Sequence, residues 1–326
     1  MKADEWTTSL AIRAAWMSFI GRSTQGEIAG RLGVSPAKVH RLIAHAQKEG
    51  LIKFHIEARP SECVELEQYL CKRMNLENCF IAPDLGSGEE ADSFVAVSSF
   101  ASQYLHSLFT TNPPKRIGVG MGRTLQSTIE AMPRVHVPEL ELLSVSGSLT
   151  RRLSANPYDV VQQLCAKTGG EGFYLPVPYI AETKAERDTF LSQGAVQELL
   201  SRAKAAELFI IGIGSVEKEG HLVKRKLITP EEREELLASG ACSDVMGRFV
   251  DINGKEVACS LNEKAVGLHF DDVRKAHVVA IVGGYRKAKA TLAALATGII
   301  KDLIIDEVLA KELVGLLKEN ELETKK

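Results

Sequence analysis

The chain has 326 residues, of which 45% are apolar, 25% charged and 6% aromatic. That length holds about two domains of ~100–200 residues each, and the composition excludes collagen-like, disulfide-scaffold and wholly disordered classes. The net charge of −2 hides an asymmetry: residues 1–60 carry nine Lys and Arg against five Asp and Glu, or +4, and the remainder carries −6. Charge is read per domain, so the two parts are expected to meet different partners.

In chain order, Leu10, Ile12, Ala15, Trp16, Phe19 and Ile20 fall at helical spacing and predict an amphipathic first helix ended by Gly21. STQGEIAGRLG follows as a short helix. Thr24 is its N-cap, Glu27 stands at the capping-box position, Ile28, Ala29 and Leu32 face inward, and Gly33 is the stop. In VSPAKVHRLIAHAQKEG, Ser35 caps, Pro36 takes the first helical position, and Val39, Leu42, Ile43 and Ala46 make the buried stripe. Two helices joined by a short Gly-containing turn form a helix-turn-helix. LIKFHIEA (51–58) then reads as a strand or wing.

The outward positions of the second of these helices are those that enter a DNA major groove. They are Ala37, Lys38, His40 and Arg41, with His45 a turn later. Lys38 and Arg41 suit phosphate or guanine, His40 a base edge or phosphate, and Ser35 belongs to the same interface as the cap of the helix. Gln25, with the amides opening the preceding helix, suits a backbone phosphate. The competing reading is a solvated face on a small packing module.

Residues 57–66 look like a joint, and the domains are placed at 1–58 and 59–326. After a helical segment at 62–74, apolar runs alternate with amphipathic helices. The runs are CFIAP (79–83), RIGVGMG (116–122), ELELLSVSG (139–147), EGFYLPVP (171–178), ELFIIGIG (207–214), HVVAIVGG (277–284) and DLIIDE (302–307). Runs of this kind are strands buried on both faces, so the larger part is expected to be α/β with a mostly parallel sheet. The polar tail ENELETKK is expected to fray. Three strands end in glycine-rich turns, GVGMGRT (118–124), GIGS (212–215) and VGGYRKAKA (282–290). In open parallel sheets ligands bind beyond such strand ends. There Thr124, Arg123 and backbone amides would surround an anion or polar ligand, and Lys287 adds a cation for a phosphate or a sugar hydroxyl.

Asp244 and Asp251 are seven residues apart and are candidates for general acid and base or for polyol recognition. No nucleophile–base–orienter set, HExxH, P-loop or metal-ligand spacing occurs, so no cofactor and no metal are expected. His106, His136, His221 and His277 read as ordinary surface or core residues, and Trp16 and Tyr285 as packing aromatics. YLPVPY (174–179) lines the cleft or braces it. The six cysteines are scattered without a CxxC, the start has no signal-peptide form, and no stretch reaches the ~18 apolar residues of a membrane helix. A reduced, cytoplasmic protein without membrane contact is the expectation.

Seven segments in this order resemble the SorC/DeoR-type sugar-responsive bacterial transcriptional regulators: 24–52, 118–125, 175–178 (LPVP), 210–215, 240–255 (GACSDVMGRFVDINGK), 279–295 and 302–313 (DLIIDEVLAKEL). The resemblance spans nearly the whole chain. It implies a winged or helix-turn-helix DNA-binding head and an effector and oligomerisation domain similar in fold to sugar-phosphate isomerases. It also implies a homodimer or homotetramer on a palindromic operator, controlled by a sugar, polyol or sugar phosphate. By position, Gly120, Gly122, Arg123 and Thr124 would hold the phosphate or hydroxyl end of the effector. Asp251 and Lys287 would bind its hydroxyls or carbonyl, and Gln163, or its neighbour Gln162, would join the cleft. SLAIRAAW (9–16) and ANPYDVVQQLC (155–165) further resemble the branch that regulates erythritol or related polyol catabolism. His40 stands where relatives often carry Ser, Ser243 where Gly is usual and Glu207 where Asp is usual. The expected function is a repressor of a sugar or polyol operon, and the alternative is a sugar-phosphate isomerase-like enzyme with an accessory N-terminal module.

Overall fold

The helices of the N-terminal part begin where their caps dictate. In the computed structural model, which describes residues 3–52, 56, 58–148, 159–217, 220–224 and 227–324, the chain divides into two compact units, Met1–Glu57 and Ala58–Lys326. The first holds α1 (Ala3–Ala15), which runs into a π-helical turn over Trp16–Ile20, then α2 (Gln25–Leu32) and α3 (Pro36–Lys48). Thr24 Oγ1 accepts from the Glu27 amide while the Glu27 carboxylate accepts from the Thr24 amide, at 3.4 and 2.8 Å. This reciprocal pair satisfies two otherwise unpaired donors and fixes the start of α2. Gly33 closes α2 at φ 65°, and Ser35 Oγ accepts from the Lys38 amide at 3.3 Å to open α3.

The buried face of α1 is not the one its large apolar residues suggest. Ala11, Ala14 and Ala15 pack against Ile28, Ala29, Val39, Leu42 and Ala46. Ile12, Trp16, Phe19 and Ile20 are 40%, 64%, 40% and 69% exposed. Alanine lets α1 lie close upon its neighbours, with Leu10 packed beside it, while Ile12 and, in the π-helical turn, Trp16, Phe19 and Ile20 project away. Trp16 is therefore not a packing aromatic. The strand or wing expected over 51–58 falls partly outside the described residues (53–55 and 57), and Leu51, Ile52, Ile56 and Ala58 belong to no regular element.

The second unit opens with α4 (Ser61–Met74), β1 (Asn78–Ala82), α5 (Glu90–Thr111), β2 (Arg116–Val119), α6 (Arg123–Ala131) and β3 (Glu141–Ser144). It continues with α7 (Val160–Thr168), β4 (Glu171–Phe173), α8 (Lys184–Ser192), α9 (Gly194–Lys204), β5 (Leu208–Ile211), β6 (Ile213–Ser215), α10 (His221–Lys224) and α11 (Pro230–Ala238). After β7 (Ser243–Val245) and β8 (Arg248–Val250) come α12 (Ser260–Lys264), α13 (Phe270–Val273) and β9 (His277–Ile281). A 3-10 turn at Tyr285–Lys287, α14 (Ala288–Ala296), β10 (Asp302–Asp306) and α15 (Glu307–Thr324) complete it. The run expected as one strand over 207–214 is two, because β5 stops at Gly212 and β6 enters a different sheet. The tail expected to fray continues α15 through Thr324, since Glu, Leu and Lys are good helix formers.

Seven strands form a parallel sheet in the order β1-β10-β9-β5-β2-β3-β4, and β6, β7 and β8 form a small antiparallel sheet. Apolar clusters lie on both faces of the larger sheet, which is why β5 and β10 read as unbroken apolar or buried runs. From β2 the chain moves outward to β3 and β4, returns to β5 on the other side of β2, and proceeds through β9 to β10. The order reverses between β2 and β5, and the crevice beyond such a reversal is where open α/β sheets bind ligands. Within β2, Gly118 is required by packing: a Cβ there would lie 2.2 Å from the Phe209 ring of β5.

Candidate nucleic-acid interface and effector cavity

In the first unit, α2 and α3 present their opening turns to solvent. Gln25, Ser35, Ala37, His40 and Arg41 are exposed. Lys38 is half-buried, its ammonium 5.6 Å over the Trp6 ring, so α1 steadies this cation. The Ser35 oxygen is taken by its capping bond, which leaves its hydroxyl proton for an acceptor such as a phosphate oxygen. The candidate residues thus lie on the first turns of a capped helix pair.

In the second unit, a cavity of about 130 Å³ opens where β2 and β5 end. Gly120, Gly122, Arg123, Thr124 and Lys287 of the expected set all line it. A Cβ on Gly120 would lie 3.2 Å from Ile211 Cα, so the strand end passes its neighbour closely. Gly122, at φ 137°, opens α6 without a side-chain cap, so the first amides of the helix remain for a ligand. Thr124 is 3% exposed, and its Oγ1 has no hydrogen-bond partner. A buried hydroxyl left unpaired costs about 1–3 kcal/mol, and a polar ligand in this cavity would recover it. The Arg123 guanidinium stacks 4.8 Å from the Phe94 ring of α5.

The same lining carries a further polar group. Lys287 Nζ donates to the Ile213 carbonyl at 2.9 Å. Burial lowers its pKa to about 8, Arg123 pushes in the same direction, and Glu90 and Asp244 oppose. Asp244 accepts from the Tyr179 hydroxyl, 2.9 Å from each carboxylate oxygen, and from the Gly247 amide at 3.0 Å. Burial raises its carboxyl to about 6, while the Tyr179 and Gly247 bonds and Lys287 pull it back. Burial and the Asp244 charge raise the Tyr179 phenol. The β7–β8 turn that supplies Gly247 has positive φ at both Met246 (54°) and Gly247 (87°), the conformation of a tight hairpin. Glu90, Glu217 and Arg286 complete the charged lining, with Arg286 Nε 3.9 Å from Glu90 Oε2.

Two expected cleft residues stand apart from this cavity. Asp251 Oδ1 accepts from the Asn253 and Lys255 amides, both at 2.9 Å, so its carboxylate closes the turn after β8. Gln163 directs Nε2 toward Glu130 Oε1 at 3.5 Å, between α7 and α6. Its neighbour Gln162 is exposed. Neither Gln163, Gln162 nor Asp251 lines the cavity, and the Asp244–Asp251 pairing dissolves. Tyr179, expected either to line the cleft or to brace it, does both. Tyr285 is 38% exposed and does not serve as core. Glu90, Glu217 and Arg286 also line the cavity, without being among the expected contacts. Arg286 adjoins Lys287 and is within reach of it, whereas nothing local marks Glu90.

The family described as "Putative sugar-binding domain" matches residues 58–315, and a winged helix-turn-helix DNA-binding family matches 21–53. The erythritol catabolism regulatory protein EryD of Brucella abortus is 36% identical over 307 residues, covering 94% of this chain and 96% of that protein. The chain belongs to the SorC-type family of sugar-responsive transcriptional regulators. Within it, the transcriptional regulator LsrR of Escherichia coli (strain SMS-3-5) is 27% identical over 300 residues, 90% of this chain and 91% of that protein. The full-length sorbitol operon regulator SorC of Klebsiella pneumoniae shares the fold, with TM-score 0.74 at 22% identity over 94% of this chain and 98% of that one. A sugar-binding domain of a transcriptional repressor from Vibrio fischeri superposes with TM-score 0.69 at 26% identity, over 78% of this chain and 99% of that one. As in other SorC-type regulators, a helix-turn-helix precedes a mostly parallel-sheet α/β domain. Among the described residues, no helix is long and apolar enough to cross a membrane.

Proposed function

We propose that this regulator is a cytoplasmic repressor of a sugar or polyol catabolic operon, and that a small polyhydroxylated effector occupies the cavity at the β2–β5 strand ends. The observation that carries this reading is the buried Thr124 hydroxyl without a partner, set in the uncapped first turn of α6 in a cavity that Lys287 also lines. Amides, a hydroxyl and two cations suit an anionic or hydroxyl-rich end group. Tyr179 and Asp244 of the same lining suit hydroxyls. Gly120, Gly122, Arg123, Thr124 and Lys287 are the proposed effector contacts, and Tyr179 and Asp244 join them.

Gln25, Ser35, Ala37, Lys38, His40 and Arg41 are the proposed DNA contacts. Two copies of the head in a homodimer or homotetramer would read a palindromic site with half-sites about 34–36 Å apart or at multiples of that spacing. The effector shifts the assembly only by its differential affinity for operator-competent and operator-incompetent states. A thermal-shift screen of the full chain against sugars, polyols and their phosphates tests the cavity. A ligand at 100 times its dissociation constant should stabilise the fold by about 2.7 kcal/mol, and Thr124→Val should lose most of that gain. A gain unchanged in Thr124→Val would place the ligand elsewhere.

An isomerase reading rests on Asp244, whose carboxyl is raised to about 6 inside the cavity. Both of its oxygens are engaged by Tyr179, and one also by Gly247, which suits holding better than proton abstraction. Turnover of any member of a panel of aldose and ketose phosphates would overturn the regulator reading.

A further inference from the structure

At the other end of the parallel sheet, three strand starts bring together a set of side chains that the effector cavity does not use. Glu77 directly precedes β1, His277 opens β9 and Asp302 opens β10, and the order β1-β10-β9 makes these starts neighbours. One potential ligand atom from each lies within 4.8 Å of the others. His277 Nε2 is 3.0 Å from Asp302 Oδ2, and His277 Nδ1 is 3.6 Å from Glu77 Oε2.

Asp302 is the anchor. It is 2% exposed, and its carboxylate accepts from Asn78 Nδ2 and from the Tyr104 hydroxyl, each at 2.9 Å. These two donors are neutral and orient the carboxylate without cancelling its charge. A dication would offset the Glu77 and Asp302 carboxylates together, which the neutral Asn78 and Tyr104 donors do not. Buried ligating carboxylates in metal sites are held by outer donors of this kind. Imidazole with two carboxylates is the ligand chemistry of zinc and similar borderline divalent ions, since all-oxygen cages suit calcium or magnesium and thiolates suit softer metals. The side chains of Glu77 and His277 are 57% and 35% exposed, which gives an ion a path in and leaves room for water in the remaining positions.

We propose that Glu77, His277 and Asp302 form a binding site for a zinc-class divalent cation, tying together the starts of β1, β9 and β10. Asp302 holds its position on the sheet, His277 contributes Nε2, the nitrogen beside Asp302, and the exposed Glu77 carboxylate swings from the Nδ1 side onto the ion. The role is structural: an ion at this end fixes the amino ends of three strands whose other ends lead toward the cavity.

The test uses the full chain, stripped with a chelator and titrated with zinc chloride alone, read by calorimetry and by thermal unfolding. The chain has six cysteines and eight histidines, so site variants decide the matter. Wild type should bind one equivalent more than His277→Gln and gain thermal stability with it. Glu77→Gln, at a solvent-facing position that does not threaten folding, should weaken that equivalent at least ~10-fold. Tyr104→Phe should weaken it ~10-fold while keeping the stoichiometry. Equal zinc uptake by wild type, His277→Gln and Glu77→Gln would overturn the proposal. So would a His277→Gln that lowers metal-free stability while zinc changes nothing, which is the behaviour of an ion-pair cluster only.

Discussion

The helix pair of the N-terminal unit and the cavity of the larger unit both offer cations and open helix starts, but they are built in opposite ways. In the head, the determinants of the two helix starts are local. Thr24 with Glu27 and Ser35 with Lys38 act three residues apart, and Lys38 and Arg41 follow the Ser35 cap within two turns. In the cavity, Thr124 comes from α6, Tyr179 from the segment after β4, Asp244 from β7 and Lys287 from the turn before α14. A surface assembled from adjacent short helices recognises a long regular partner by presenting charge outward. A surface assembled from four distant segments encloses a small one, and it depends on the sheet to hold those segments in register.

That difference predicts separable failures. The largest effect is expected from Lys287→Met, which should abolish the ligand-induced thermal shift and leave DNA retention at the wild-type level. Loss of retention in the same variant would break the separation. The reciprocal change, Lys38→Ala with Arg41→Ala, should weaken retention about tenfold or more and flatten the salt dependence by about 0.9 for each phosphate no longer neutralised. The ligand shift should stay intact, as measured by anisotropy across a salt series.

Gly118→Ala should destabilise the larger unit by about 1–3 kcal/mol through overpacking against Phe209, measured by denaturant unfolding, with the cavity residues themselves unchanged. A pH series sharpens the same contrast. Lys287 loses its proton above about 8, so affinity for an anionic ligand should fall up to ~10-fold per pH unit beyond that point. The Asp244 carboxyl is raised from 3.8 to about 6. Between those values the folded unit holds more protons than the unfolded chain, so stability should decline as pH rises through that window. Asp244→Asn should remove this slope. The smallest effect is expected from Trp16→Ser and Ile20→Ser, within about ±0.5 kcal/mol because both side chains are already exposed.

The same contrast explains which features are legible in the amino-acid sequence. Caps, the Gly33 stop and the Pro36 start are written within four residues, so α2 and α3 can be read almost to their ends. The apolar runs announce the parallel sheet, since burial on both faces leaves a local signature. Periodicity misjudges the face of α1 because large side chains outweigh alanines in it, whereas close helix packing favours the small ones. Asp251 and Asp244 lie in one segment and look equivalent there, and only the folded turn shows that Asp251 is the carboxylate consumed by backbone amides. Glu90 and the Glu77–His277–Asp302 cluster carry no local mark at all, because they meet their partners only through strand order.

The proposed function gives duplex DNA to one unit and a metabolite, sensed and left unchanged, to the other. The direct measurement is anisotropy of the full chain on a duplex selected from random sequence, titrated with the sugar or polyol derivative that gives the largest thermal shift, with the ligand recovered afterwards. The expected result is a ligand-dependent change in DNA affinity, absent in Lys287→Met, with the ligand recovered unchanged. DNA affinity indifferent to a ligand that occupies the cavity, or recovery of a converted product, would contradict it.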